Sequence, residues 1–310
     1  MSQRLSGTIV PLLTPFAEDE SLDAPGLRQL VEFVLEQGAD GLMPTALTGE
    51  GPLLTADERL GVWDVVFEAV DRRVPVVPAV ISTTTREAVR LVRAAEQRGA
   101  AAVMVAPILP ELYAARAHDD IVAFHAEVAD ATALPLLLFN YPSLTGVDLT
   151  PPLVARLAEI PRVAYIKESS GDVRRVHAIQ RLVGERVEVV CGAPDVALES
   201  LALGCRAWIT GILNAAPRSG RQLVRAVRER GDLALARAIY ATQILPLVDV
   251  IGATCNPVGT IKAAVRARGV AVGVPRRPGR DLDAAGRERL LALMAAVSAT
   301  EAEVEGRLSP

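Results

Sequence analysis

Short apolar runs alternate along the chain with longer stretches in which apolar residues recur every three to four positions. Residues 7–13 (GTIVPLL) precede a helical pattern at 24–37, 41–47 precede 55–73, 74–82 (VPVVPAVIS) precede 84–98, and 101–108 (AAVMVAPI) precede 114–131. The scheme continues with 134–141 (LPLLLFNY) before 150–160 and 163–168 (VAYIKE) before 172–183. It ends with 187–192 (VEVVCG) before 195–203 and 205–212 (CRAWITGI) before 216–230. Runs that are apolar throughout suit strands of a parallel sheet covered on both faces. Eight consecutive strand–helix units predict an α/β fold, a (β/α)8 TIM barrel rather than a doubly wound sheet. Thr55-Ala56-Asp57-Glu58 reads as a helix cap with acids in the first turn. Several helical stretches stop at glycine (Gly99, Gly184, Gly204, Gly231), as left-handed C-terminal caps do. Beyond residue 231 the strand signal ends. Residues 232–250, 256–268 and 283–305 read as helices, joined by a Pro/Gly/Arg-rich connection at 269–280. The expected organisation is a barrel over 1–231 that carries the active site, and a C-terminal helical extension over 232–310.

Composition narrows the function classes. Half of the 310 residues are hydrophobic, enough for a large core, and the formal charge of -4 offers no basic footprint for nucleic acid. The N-terminus lacks the charged and apolar regions of a signal peptide, and the apolar runs fall short of the roughly 20 residues of a membrane span. A cytoplasmic protein without membrane partners is the expectation. Cys191, Cys205 and Cys255 are too widely spaced for a metal or redox motif and read as buried thiols. His118, His125 and His177 fall on helices without ligand spacing, so no metal site is expected. No G-x-G-x-x-G or P-loop phosphate fingerprint occurs.

Of the 33 basic residues only two are lysines, Lys167 and Lys262. Active sites of such barrels lie at the C-terminal ends of the strands. Lys167 ends the sixth apolar run, so it stands at the barrel mouth or packs beside it. An apolar mouth lowers the pKa of an amine, and a neutral amine attacks a ketone to give a Schiff base. The competing reading is a salt-bridged lysine held by Glu168 or Asp172. Lys262, in the helical extension, reads as structural. Ala46-Leu47-Thr48-Gly49-Glu50-Gly51 ends the second run, and its hydroxyl and exposed amides suit a carboxylate or phosphate oxygen. A strand-to-helix turn needs glycine and a cap in any case.

Together these segments resemble the dihydrodipicolinate synthase / N-acetylneuraminate lyase family of class I, pyruvate-handling aldolases. The resemblance covers essentially the whole chain. It runs through GTIVPLLTPF, ALTGE with the following LTADER, VMVAP, FNYPSLTGVDLTP, YIKESSGD, CGAPD, WITGILNAAP and NPVGTIKAA. It implies that Lys167 captures the keto group of pyruvate or another 2-keto acid as a covalent imine, with no cofactor. It further implies that Thr48 and the amides around Gly49 hold the carboxylate. Ile209, Thr210 and Gly211 would line the far side, with Gly192 close by. A homotetramer is the oligomer implied; 234–250 and 290–297 are candidate contact surfaces, with burial against the barrel as the alternative.

The chain departs from the family pattern at one place in several residues. Phe139 stands where the strand-five motif usually begins with a proton-shuttling tyrosine, and it has no ionisable group. Leu47 replaces the first hydroxyl residue of the strand-two motif. Ile108-Leu109 replaces an aromatic pair. Leu144 stands where the synthase branch carries an arginine for its second substrate's carboxylate. These changes make the pocket more apolar as a unit and argue against aspartate semialdehyde as substrate. Tyr141 lies two residues from Phe139 and shares its face if the strand continues, so it is the candidate phenol; packing at the mouth is the alternative. Three functions compete: an aldolase or lyase acting on a less polar aldehyde, a dehydratase or hydratase-aldolase with the same imine chemistry, and a non-catalytic keto-acid binder.

Overall fold

The computed structural model describes residues 4–107, 118–254 and 256–308. Eight parallel strands form the centre: β1 (Gly7–Val10), β2 (Gly41–Leu42), β3 (Ala79–Ser82), β4 (Val103–Pro107), β5 (Leu136–Asn140), β6 (Val163–Glu168), β7 (Glu188–Cys191) and β8 (Ala207–Ile209). They pair in the order β2-β1-β8-β7-β6-β5-β4-β3. A single parallel bridge, Leu42↔Val76, joins the two ends of that order, supported by Val77 N–H donating to Leu42 O at 2.8 Å. The architecture is a TIM-barrel-like α/β fold.

Helices follow the strands: α1 (Ala24–Glu36), α2 (Ala56–Val70), α3 (Thr85–Gln97), α4 (His118–Asp130), α5 (Pro142–Thr145), α6 (Pro151–Leu157), α7 (Arg174–Val183), α8 (Ala197–Ala202) and α9 (Pro217–Val224). Thr55 caps α2 as its sequence suggests. Its hydroxyl accepts from Glu58 N, and the Glu58 carboxylate accepts from Thr55 N, which satisfies two otherwise orphaned donors. The second strand is much shorter than the apolar run 41–47, because the chain turns at Pro44-Thr45. The short helix α5 was not foreseen; it begins where β5 ends.

Strand alternation sorts the core into two layers. Ile9, Met104, Leu137, Tyr165, Val190 and Ile209 belong to a cluster inside the ring of strands. Val10, Val105, Leu138, Ile166 and Val189 face outward into the larger cluster under the helices. Both layers are fully buried or nearly so, which is why the strands read as unbroken apolar runs.

The C-terminal part contains α10 (Leu233–Ile239), α11 (Leu245–Gly252), α12 (Pro257–Ala267) and α13 (Ala284–Leu308). Leu233–Gly252 is one helical stretch, with a π-turn at Tyr240–Ile244. By length and the mean hydropathy of 1.4 of an 18-residue window it is long and apolar enough to cross a membrane, a test that a core helix also passes. It carries exposed Arg237 and Asp249, and 39% of its most apolar 18-residue window is buried inside the fold. Cys191 and Cys205 are buried free thiols; Cys255 lies outside the described residues. His125 is fully buried, with Nδ1 2.8 Å from Ile121 O, and burial pushes its pKa down to about 4.

Candidate active site

Lys167 sits two residues after Tyr165 on β6, so alternation turns its side chain into the ring. Register places Phe139 of β5 beside it on one side and Val190 of β7 on the other. The amine is therefore flanked by apolar groups, and its Nζ lies 4.8 Å from the Phe139 ring centroid. The residue is 8% exposed. Burial pushes its pKa from the ordinary 10.5 down to about 8. Glu168 does not neutralise Lys167. It faces outward, accepting from Asn140 Nδ2 at 2.8 Å and from Ser170 N at 2.6 Å. Asp172 is bound by Arg174 instead. The salt-bridged reading of Lys167 is thus removed by the partners its neighbours choose. The Asn140–Glu168 bond also ties the ends of β5 and β6 together, which fixes the row holding Phe139 and Lys167.

The amine opens on a cavity of about 560 Å³ at the C-terminal ends of the strands. Its lining brings together Leu47, Thr48, Phe139, Tyr141, Leu144, Gly192, Thr210 and Gly211 with Lys167. Two glycines are there for close approach. A Cβ at Gly192 would lie 2.9 Å from Lys167 Cγ and 1.9 Å from Ser169 Oγ. A Cβ at Gly211 would lie 2.8 Å from Thr48 Oγ1. Any side chain at either position displaces a functional group.

Thr48 is carried by the turn between β2 and α2. Among the described residues, the Thr48 and Gly49 amides have no protein acceptor, while Glu50 N and Gly51 N bond back to Leu47 O and Ala46 O. Unpaired amides beside a hydroxyl suit an anionic oxygen. Gly49 itself does not line the cavity. Its carbonyl accepts from Thr14 Oγ1 at 2.6 Å, and its Cα faces Leu12 O.

Ile209 does not line the cavity either. Alternation buries it in the interior layer, one level below the mouth, and Thr210 takes the wall position where β8 gives way to the turn Gly211–Asn214. Tyr141 reaches the cavity by a different route from the one foreseen. The strand stops at Asn140, and Tyr141 is the residue preceding α5, its ring edge-on to Phe139 with centroids 6.1 Å apart. Leu144 is 57% exposed at the rim. Leu109 lies outside the described residues.

Sequence reasoning missed several lining residues. Ser169 is two positions beyond Lys167, so the period-two rule could have found it. Among the described residues, its buried hydroxyl has no partner. Asp195 follows β7 and is the one acidic side chain among the described lining residues. Ile251 of α11 and Val258 and Ile261 of α12 fold over the mouth from the C-terminal part. No local pattern says which distant helix closes a barrel. Among the described residues, no group of three or more His, Cys, Asp or Glu gathers as metal ligands would.

A model of the dihydrodipicolinate synthetase family matches residues 4–297. The chain is 37% identical over 291 residues to 4-hydroxy-tetrahydrodipicolinate synthase of Thermomicrobium roseum, covering 94% of each sequence. It is similar in structure to YagE of E. coli K12, a member of the dihydrodipicolinic acid synthase family solved in complex with pyruvate. That likeness has a TM-score of 0.88 and 31% identity, and covers 94% of this chain and 98% of YagE. It is also similar to the 4-hydroxy-tetrahydrodipicolinate synthase of Methylacidiphilum fumariolicum SolV, with a TM-score of 0.90, 27% identity, and 98% and 99% of the two chains covered.

Proposed function

We infer the function from one premise: the chain belongs to the dihydrodipicolinate synthetase family. It is a lyase of that family, whose class I aldol chemistry holds pyruvate on a lysine as an imine. Lys167 is the lysine we assign to that step. The observation that carries the assignment is a buried amine, set between Phe139 and Val190, with its pKa lowered to about 8 at the wall of the cavity.

In this reading the neutral amine attacks the keto carbon of pyruvate. The former carbonyl oxygen takes up protons and leaves as water, giving a protonated imine. The imine draws electrons from the methyl carbon, which loses a proton to become an enamine. That carbon bonds to the aldehyde carbon, and the new alkoxide takes a proton. Water then adds to the imine and frees Lys167. The imine is the electron sink, so no cofactor is required. Phe139 moves no proton; Tyr141 and Ser169 supply the hydroxyls at the cavity wall. The hydroxyl and amide of Thr48, which line the cavity, receive the carboxylate.

The aldehyde side is apolar. Leu47, Leu144, Ile251 and Val258 line it, and among the described lining residues the one cation is Lys167 itself. Among the described lining residues a second carboxylate would find no positive partner beyond Lys167 and would meet Asp195. This favours an aldehyde without a carboxylate over aspartate semialdehyde. The reading includes closure of the sheet into a full (β/α)8 barrel, supported by the Leu42↔Val76 bridge. It also includes a barrel unit over 1–231 with a helical extension over 232–310, and a cytoplasmic homotetramer by family resemblance. The test is a screen of aldehydes with pyruvate, followed by product mass. Aliphatic or aromatic aldehydes should turn over in the wild type and not in Lys167→Ala. Turnover of aspartate semialdehyde above all others would overturn the assignment of the aldehyde side.

A further inference from the structure

The second lysine has no part in imine chemistry, yet its side chain is wholly buried in α12. Lys262 Nζ lies 2.8 Å from Glu50 Oε1, donates to Val274 O at 2.9 Å, and stands 4.5 Å from the Phe16 ring centroid. Glu50 is also buried, and its other oxygen accepts from the backbone N–H of Arg276 at 2.9 Å. Burial pushes Lys262 below the ordinary lysine pKa, and the Glu50 charge opposes that shift. Such a pair gains little or nothing in stability over well-packed apolar residues. Its presence calls for another role.

Glu50 belongs to the turn that carries Thr48. Two non-glycine residues of that turn have left-handed backbone, Thr45 at φ 60 and Glu50 at φ 55. Conformations of this kind persist where the surroundings over-determine them, and they gather at functional sites. One end of the turn is held by the barrel. Thr45 Oγ1 donates to Ala79 O and accepts from Trp63 Nε1, both at 2.9 Å. The other end is held from the C-terminal part, by Lys262 and by the 269–280 connection. Arg276 continues that hold through Leu53 O and both oxygens of Glu58, which starts the next helix. Leu47, Thr48 and Gly49 stand between the two anchors.

We propose that Lys262 and Glu50 are positioning residues: their ion pair locks the strained turn so that the Thr48 hydroxyl and amide face the cavity of Lys167, and keto-acid affinity thereby depends on the C-terminal helices. The inference rests on the reading of Lys167 and Thr48 given above. A purely structural pair would alter stability alone; a positioning pair alters keto-acid affinity even where stability is restored.

The test compares wild type with the double variant Glu50→Gln/Lys262→Met, which removes both charges and strands neither. Two quantities are read: the thermal midpoint, and the pyruvate concentration that half-saturates borohydride trapping on Lys167. The double variant should keep a near-native midpoint and need at least tenfold more pyruvate. Its trapping rate at saturating pyruvate should stay within about threefold of wild type, because Lys167 is untouched. A wild-type half-saturation value in the folded double variant would overturn the proposal. Glu50→Asp provides the same readout with both charges kept and the reach shortened by one methylene. An increase in half-saturating pyruvate supports the proposal, and no increase refutes it. Absence of any adduct on wild-type Lys167 would instead sink the parent reading, and this inference with it.

Discussion

Replacing Lys167 by methionine should make the protein more stable at neutral pH while abolishing imine formation. The amine titrates near 8 in the folded chain and near 10.5 when exposed. Each tenfold change in a proton equilibrium is worth about 1.4 kcal/mol, so holding Lys167 in the folded site costs about 3 kcal/mol at any pH below 8. Between pH 8 and 10.5 the unfolded chain binds the proton and the folded chain has released it, so wild-type stability rises with pH across that window. Methionine fills nearly the same volume, and its imperfect packing forfeits about 1 kcal/mol. The net expectation for Lys167→Met is a gain of about 2 kcal/mol at pH 7, which is about 3 °C in thermal midpoint for a chain of this size. The gain should shrink steadily above pH 8, pass through zero at about pH 10 and leave the variant slightly less stable than wild type by about pH 10.5. Thermal melts of both proteins from pH 6.5 to 10.5 measure it. A variant no more stable than wild type, with a difference that does not vary with pH, would show that the lysine carries no burial penalty. The case for a reactive neutral amine would then fail. The same shift makes about a tenth of Lys167 neutral at pH 7, roughly 300-fold more than an ordinary lysine.

Phe139→Tyr brings a phenol to the ring that lies 4.8 Å from Lys167 Nζ, and should raise the rate of pyruvate trapping several-fold; an unchanged rate means Tyr141 or Ser169 already suffices. Gly192→Ala drives a methyl group into Lys167 Cγ and Ser169 Oγ. It should lower trapping by about 100-fold and cost about 1–3 kcal/mol in denaturant unfolding, and near-normal trapping would contradict the assigned geometry. Leu144→Arg places a cation at the exposed rim. It should improve kcat/KM for carboxylate-bearing aldehydes by about tenfold and leave apolar aldehydes little changed, as steady-state assays would show.

The eight strand–helix units were legible because strands buried on both faces leave unbroken apolar runs, and Lys167 was legible as the charged residue ending one of them. The removal of the salt-bridged alternative was not, since it depends on Glu168 turning outward to Asn140 and Ser170. Of Ile209, Thr210 and Gly211, sequence alone did not single out the two that line the mouth, because register along β8 sets which residues meet it. Ser169 shared the face of Lys167 by simple alternation and was legible in principle. The role of Lys262 was hidden for a different reason. Its partner Glu50 is more than 200 residues away in sequence, and only the folded chain brings them to 2.8 Å.

Borohydride trapping tests the central claim most directly. The wild-type protein is incubated with pyruvate, reduced and digested, and the modified lysine is located by peptide mass spectrometry. The account predicts a pyruvyl adduct on Lys167 and none on Lys262. No adduct, or one on Lys262 alone, would contradict it.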